Sequence, residues 1–81
     1  MPHITIEAWP GRTPEAKMQL AQALRDTMAS TLNISPDRIS VSMRDVPQDQ
    51  WPTAVVAREI ADPDHLLLPS AAMQAARAQK G

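Results

Sequence analysis

His3-Ile4-Thr5-Ile6-Glu7-Ala8-Trp9-Pro10-Gly11-Arg12-Thr13-Pro14-Glu15 carries a strand, a break and a helix start in one short run. In an extended chain Ile4, Ile6 and Ala8 share one face while His3, Thr5, Glu7 and Trp9 share the other, the period-two pattern of a half-buried strand. Pro10-Gly11 breaks it. Thr13-Pro14-Glu15 then combines a hydroxyl N-cap, a proline at the first helical position and an acid in the first turn. The spacing predicts a helix from about Pro14 to Leu32.

Within that helix Leu20, Leu24, Met28 and Leu32 recur every fourth residue beside Ala21 and Thr31, predicting an apolar stripe with Lys17, Gln22 and Arg25 on a polar back. Asn33 suits a helix end, and Ser35-Pro36-Asp37 suits a turn. Residues 38 to 45 alternate again, Ile39, Val41 and Met43 opposite Ser40, Ser42 and Arg44, which predicts a second strand. Strand, helix and strand make a βαβ unit, an α/β (α+β) fold class with a parallel strand pair and the helix on its apolar face. Two strands are too few to stand alone. Pairing the exposed edges of two copies gives a four-stranded sheet with both helices on one side, so a homodimer is the smallest expected assembly.

Beyond Val46-Pro47 the periodicity weakens, and Gln48 to Ile60 is expected to hold a turn around Trp51-Pro52 and a few residues of helix or strand. Asp62-Pro63 repeats the cap-plus-proline signal ahead of Asp64-His65-Leu66-Leu67-Leu68. Pro69-Ser70 interrupts or restarts a helix running from Ala71 to Ala78, and Gln79-Lys80-Gly81 is expected to fray. The chain therefore reads as a single domain over residues 1–81, with a βαβ core and pocket segment at 2–60 and a helical extension at 61–81.

A domain of 81 residues buries only a little over ~60% of the surface its unfolded chain exposes, so stability in isolation is marginal. There is no cysteine, and the two histidines, His3 and His65, are far apart, so neither a disulfide nor a metal site is expected. Oligomerisation is the remaining staple. Eight basic against nine acidic residues, with a net charge of −1 and no run of like charge, argue against nucleic acid or an anionic membrane as partner. The N-terminus lacks a basic segment followed by an apolar core, and no apolar run approaches the ~20 residues a membrane span needs. A soluble cytoplasmic protein is expected. The five methionines read as core filler.

The chain opens Met1-Pro2, and proline in second place permits removal of the initiator methionine. Pro2 would then carry a free secondary amine on a rigid ring, aimed by the strand behind it. An α-amino group ordinarily titrates at roughly pH 8, and an apolar pocket or nearby cation would bring it toward neutrality, where a general base works best. Read alone, Pro2 is equally a strand start.

Pro2-His3-Ile4-Thr5-Ile6-Glu7-Ala8-Trp9-Pro10-Gly11-Arg12 resembles the opening of the 4-oxalocrotonate tautomerase family, whose members carry an amino-terminal proline, a short strand and an arginine ten residues on. The resemblance continues through the Thr13-Pro14-Glu15 helix start, the Leu32-Asn33-Ile34-Ser35-Pro36 turn, the second strand and Trp51, covering about the first sixty residues. It implies that Pro2 is the general base and returning acid, and that Arg12 holds a substrate carboxylate, for which its fork is better shaped than a lysine. Trp51 would form an apolar wall, and Trp9 would line the same pocket, from the same or a neighbouring subunit. The alternatives are a solvated arginine at a helix start and tryptophans in ordinary packing.

The second arginine of the family's dicarboxylate-specific members aligns with Ser40, and Arg44 lies two side-chain steps along the same face. The resemblance is therefore nearer to the dimeric phenylpyruvate or para-hydroxyphenylpyruvate tautomerases than to the hexameric trimers of dimers, the longer tail fitting that subgroup. It implies a 2-keto acid or its enol as substrate, with no cofactor. Thr53, where dehalogenating members use an acid, argues against that chemistry. His3 either tunes the amine or is a surface or interface histidine. A catalytically idle βαβ interaction module, and an enzyme whose Pro2 amine forms an iminium with an aldehyde, are the competing readings.

Overall fold

The computed structural model describes residues 1–79, with side chains through residue 75. Strands β1 (His3–Ala8) and β2 (Ser40–Asp45) pair in parallel, and helix α1 (Pro14–Leu32) makes the crossover, giving the expected βαβ unit. The register runs from His3 opposite Ser40 to Ala8 opposite Asp45. It is extended at both ends, where the Ser40 N–H donates to the Pro2 carbonyl at 3.3 Å and the Val46 N–H to the Ala8 carbonyl at 2.8 Å. Half-buried Ile4, Ile6, Val41 and Met43 alternate with exposed His3, Thr5, Ser40 and Ser42, so the face parity expected from the sequence holds.

Helix α1 begins where the Thr13 Oγ1 accepts the Ala16 N–H at 3.1 Å, with Pro14 opening the first turn. It ends at Asn33, in the left-handed region at φ 56°, whose N–H donates to the Ala29 carbonyl. Asparagine visits that region more readily than other side-chain-bearing residues. The Ser35 Oγ accepts the Asp37 N–H at 3.3 Å, and the single 3₁₀ turn Pro36–Arg38 delivers Ile39, only 4% exposed, to the start of β2.

The helix is rotated from the expected stripe. Its shielded side runs through Lys17, Ala21, Leu24, Arg25, Met28 and Ala29, while Leu20, Leu32 and Thr31 are exposed. A step of four residues advances about 400°, so positions 20 to 32 drift by about 120° and cannot all face one sheet. Lys17, assigned to the polar back, instead binds Asp45 at the end of β2 with its Nζ 2.7 Å from a carboxylate oxygen. Arg25, assigned to the same back, is half-buried with its Nε shielded and unpartnered. The methionines divide too: Met73 is buried, Met28 and Met43 half-buried, Met1 and Met18 exposed.

The chain separates into two compact units, Met1–Trp51 and a second from Pro52 onward. In the second, where the sequence leaves helix and strand both open, Pro52–Val56 winds as a π-turn into helix α2 (Ala57–Ala61), and Arg58 Nε donates to the Ala54 carbonyl at 2.6 Å. Asp62 caps nothing: its carboxylate takes His65 Nδ1 at 2.8 and 2.9 Å, and Pro63–His65 is a single 3₁₀ turn. Helix α3 (Ala71–Gln79) restarts where Ser70 Oγ accepts the Met73 N–H at 3.1 Å. Gln79 belongs to that helix, while the fraying expected at Lys80 and Gly81 falls outside the described residues.

Candidate active site

Where β1 ends, Pro10 and Gly11 turn the chain toward α1, with Gly11 at φ 116°, a conformation side-chain-bearing residues avoid. The turn leaves Arg12 beside the strand end, where its Nη1 donates to the Trp9 carbonyl at 2.7 Å. That bond uses one of the five N–H donors of a guanidinium. Just beyond β2, buried Val46 anchors the chain, Gln48–Gln50 makes a 3₁₀ turn, and the Trp51 N–H closes onto the Gln48 carbonyl. The indole of Trp51 then meets that of Trp9 edge to face, with centroids 6.4 Å apart and planes at 89°. Such pairs contribute about 0.5–1.5 kcal/mol beyond their burial, enough to hold both rings in place.

Glu7, Ala8, Trp9, Arg12 and Trp51 line a cavity of about 300 Å³ at this end of the sheet. Its walls are two aromatic rings, and its polar groups are one guanidinium and one carboxylate. Chemically, the fork offers hydrogen-bond donors to an anion and the indoles offer flat apolar surface beside it. Among the described residues no group of three His, Cys, Asp or Glu side chains is placed to hold a metal ion.

Three of the residues singled out in the sequence, Arg12, Trp9 and Trp51, thus meet in one cavity. Pro2 does not join them within the protomer. It is half-buried at the opposite end of β1, and the six residues of that strand place it roughly 20 Å away at about 3.3 Å per residue. His3 and Ser40 share the Pro2 end, with His3 Nδ1 2.5 Å from Ser40 Oγ and Nε2 3.2 Å from Ser42 Oγ. Arg44 is at the cavity end, in register with Glu7. Glu7 itself was read only as part of a polar strand face; its parity with Trp9, two residues on, is the signal that marks it as a cavity residue.

The pattern of the family described as "Tautomerase enzyme" matches residues 2–59. A protein of Xylella fastidiosa (strain 9a5c) named "Probable tautomerase" is 34% identical over 68 residues, which cover 84% of this chain and 83% of the relative. No solved structure matches. The fold is a parallel βαβ unit, a small α+β scaffold, and with these similarities the chain belongs to the tautomerase family, a family of isomerases.

Proposed function

We propose that the protein is a cytoplasmic, cofactor-independent keto–enol tautomerase of 2-keto acids, phenylpyruvate among them, in which Pro2, freed of Met1, is the general base. The observation that carries the reading is the cavity in which Arg12 stands beside the edge-to-face Trp9–Trp51 pair. It offers a fork for the carboxylate and flat apolar surface for an aromatic body. The amine then removes the proton from C3 of the keto acid, and Arg12 steadies the carboxylate of the enolate that forms.

Met1 is 95% exposed, which leaves it open to an aminopeptidase, and the Ser40 N–H holds the Pro2 carbonyl, so loss of Met1 leaves the proline anchored. The family match also begins at residue 2.

Because Pro2 and Arg12 lie at opposite ends of β1, the reading requires a site shared by two copies. Copies that share one sheet with both helices on the same side are related by an axis perpendicular to the sheet, so the strands at the seam run antiparallel. The start of one strand then lies against the end of its partner, and Pro2 of one copy meets Arg12, Trp9 and Trp51 of the other. The thin core supports such pairing: among the described residues only Ala29, Ile39, Val46 and Met73 are buried, while Met18, Leu20 and Leu32 on α1 stay exposed. A phenylpyruvate enol-to-keto assay on protein whose mass shows loss of Met1 tests the reading. Processed protein without activity on any 2-keto acid would refute it.

A further inference from the structure

The cavity contains a group that the reaction as proposed leaves idle. Glu7 lines it together with Arg12, half-buried and on the strand face that also carries Trp9. Two charges of opposite sign in one small cavity constrain the ligand more than the arginine alone. Arg12 only donates hydrogen bonds, and an ionised Glu7 only accepts them, through two oxygens with about four lone-pair sites. A ligand bearing two anions would be repelled by Glu7. A ligand with one carboxylate and one hydrogen-bond donor close to it matches the charge and bonding character of both groups, and the enol of a 2-keto acid has that form, its hydroxyl being on the carbon next to the carboxylate.

We infer that Glu7 is a second catalytic residue of this site, the acceptor of the enol hydroxyl proton while the Pro2 ammonium of the other copy protonates C3. The inference rests on the proposed tautomerase reading. In the enol-to-keto direction the O–H bond breaks and its proton passes to a Glu7 oxygen. The oxygen electron pair closes the C2=O bond, and the C2=C3 pair takes a proton from the Pro2 ammonium to form the new C3–H bond. Glu7 ends protonated and Pro2 neutral, and transfer of one proton from Glu7 back to Pro2 through solvent restores the starting state. No proton is gained or lost overall, and no redox partner is involved. In the keto-to-enol direction each step reverses. The arrangement removes the need for one amine to reach both the oxygen and C3. Arg44 stands in register with Glu7 across the sheet.

The test compares wild type, Pro2→Ala, Glu7→Gln and Glu7→Asp on phenylpyruvate, with circular dichroism and oligomeric state as checks of folding. General acid–base groups contribute typically ~10²–10⁴-fold. Glu7→Gln, nearly isosteric, is expected to lower kcat by at least ~100-fold with KM changed by less than about threefold. Glu7→Asp, which keeps the charge facing Arg44 but draws the carboxylate back, is expected to fall by at least about tenfold and keeps the test open if the glutamine variant does not fold. Formate added to Glu7→Ala is expected to restore part of kcat, as a purely structural carboxylate would not permit. A wild type that needs Pro2 while Glu7→Gln and Glu7→Asp retain normal kcat would overturn the inference and leave the tautomerase reading standing; a processed but inactive wild type would overturn both.

Discussion

Arg12 reaches the cavity because of what precedes it. The fork is held by the Trp9 carbonyl at 2.7 Å, and the loop that permits this passes through Gly11 at φ 116°. Hydrogen bonds to a charged partner are worth about 1.5–3 kcal/mol, so Arg12→Ala is expected to raise KM for phenylpyruvate by roughly 10- to 100-fold. Arg12→Lys recovers only part of the loss, since a point charge does not replace a planar fork. Steady-state kinetics on the two variants check this; an unchanged KM would remove Arg12 from the carboxylate site. A Cβ at Gly11 meets open space, so Gly11→Ala carries backbone strain alone, of order 1–3 kcal/mol. That variant is expected to lose both thermal stability and affinity, because relief of the strain moves Arg12. Strain without loss of affinity would mean that the loop does not position the fork.

Elements follow their punctuation closely. Thr13 caps, Pro14 opens and Asn33 closes α1 at the residues the sequence marks, and the period-two faces of β1 and β2 are the observed faces. Thr13→Ala removes the acceptor of the Ala16 N–H and is expected to cost about 1 kcal/mol, measurable by urea unfolding; no loss would show that the cap is not what starts the helix. Local signals of this kind are legible because each acts on backbone groups within a few residues. The orientation of α1 was not: an apolar residue at every fourth position suggests a stripe, but the 100° step per residue turns Leu20 and Leu32 out and brings Ala29 and Arg25 in. The tail misleads for a related reason. Asp62-Pro63 has the chemistry of a helix start, yet the Asp62 carboxylate is engaged by His65 and caps no N–H.

At the scale of the whole molecule the sequence named Pro2, Arg12, Trp9 and Trp51, and the protomer unites only the last three. Separation along a strand is a matter of rise per residue, whereas the proposed meeting of two strand ends depends on a second copy, which the sequence suggests only through its exposed strand edges. Glu7 escaped notice because an acid on a polar strand face is ordinary until the tryptophan two residues away is seen to wall a cavity. A site shared between copies makes a distinctive prediction: at substrate well below KM, Pro2→Ala and Arg12→Ala are each nearly inactive, but mixed and refolded together they form heterodimers with one site carrying both wild-type residues. Activity is expected to return to a substantial fraction of wild type, and mixtures that stay inactive would place the site within one protomer. Dimerisation also links stability to concentration, so the melting temperature is expected to rise as the protein is concentrated. A melting temperature independent of concentration would contradict the dimer.

The central claim is that the Pro2 amine does the chemistry, and the direct measurement joins intact mass with phenylpyruvate enol-to-keto kinetics on wild type and Pro2→Ala, both beginning with a free amine once Met1 is gone. The account predicts a mass lacking methionine and a fall in kcat/KM of at least ~100-fold in the variant. Full activity in Pro2→Ala, or in protein that still carries Met1 on an amide-bonded Pro2, would contradict it.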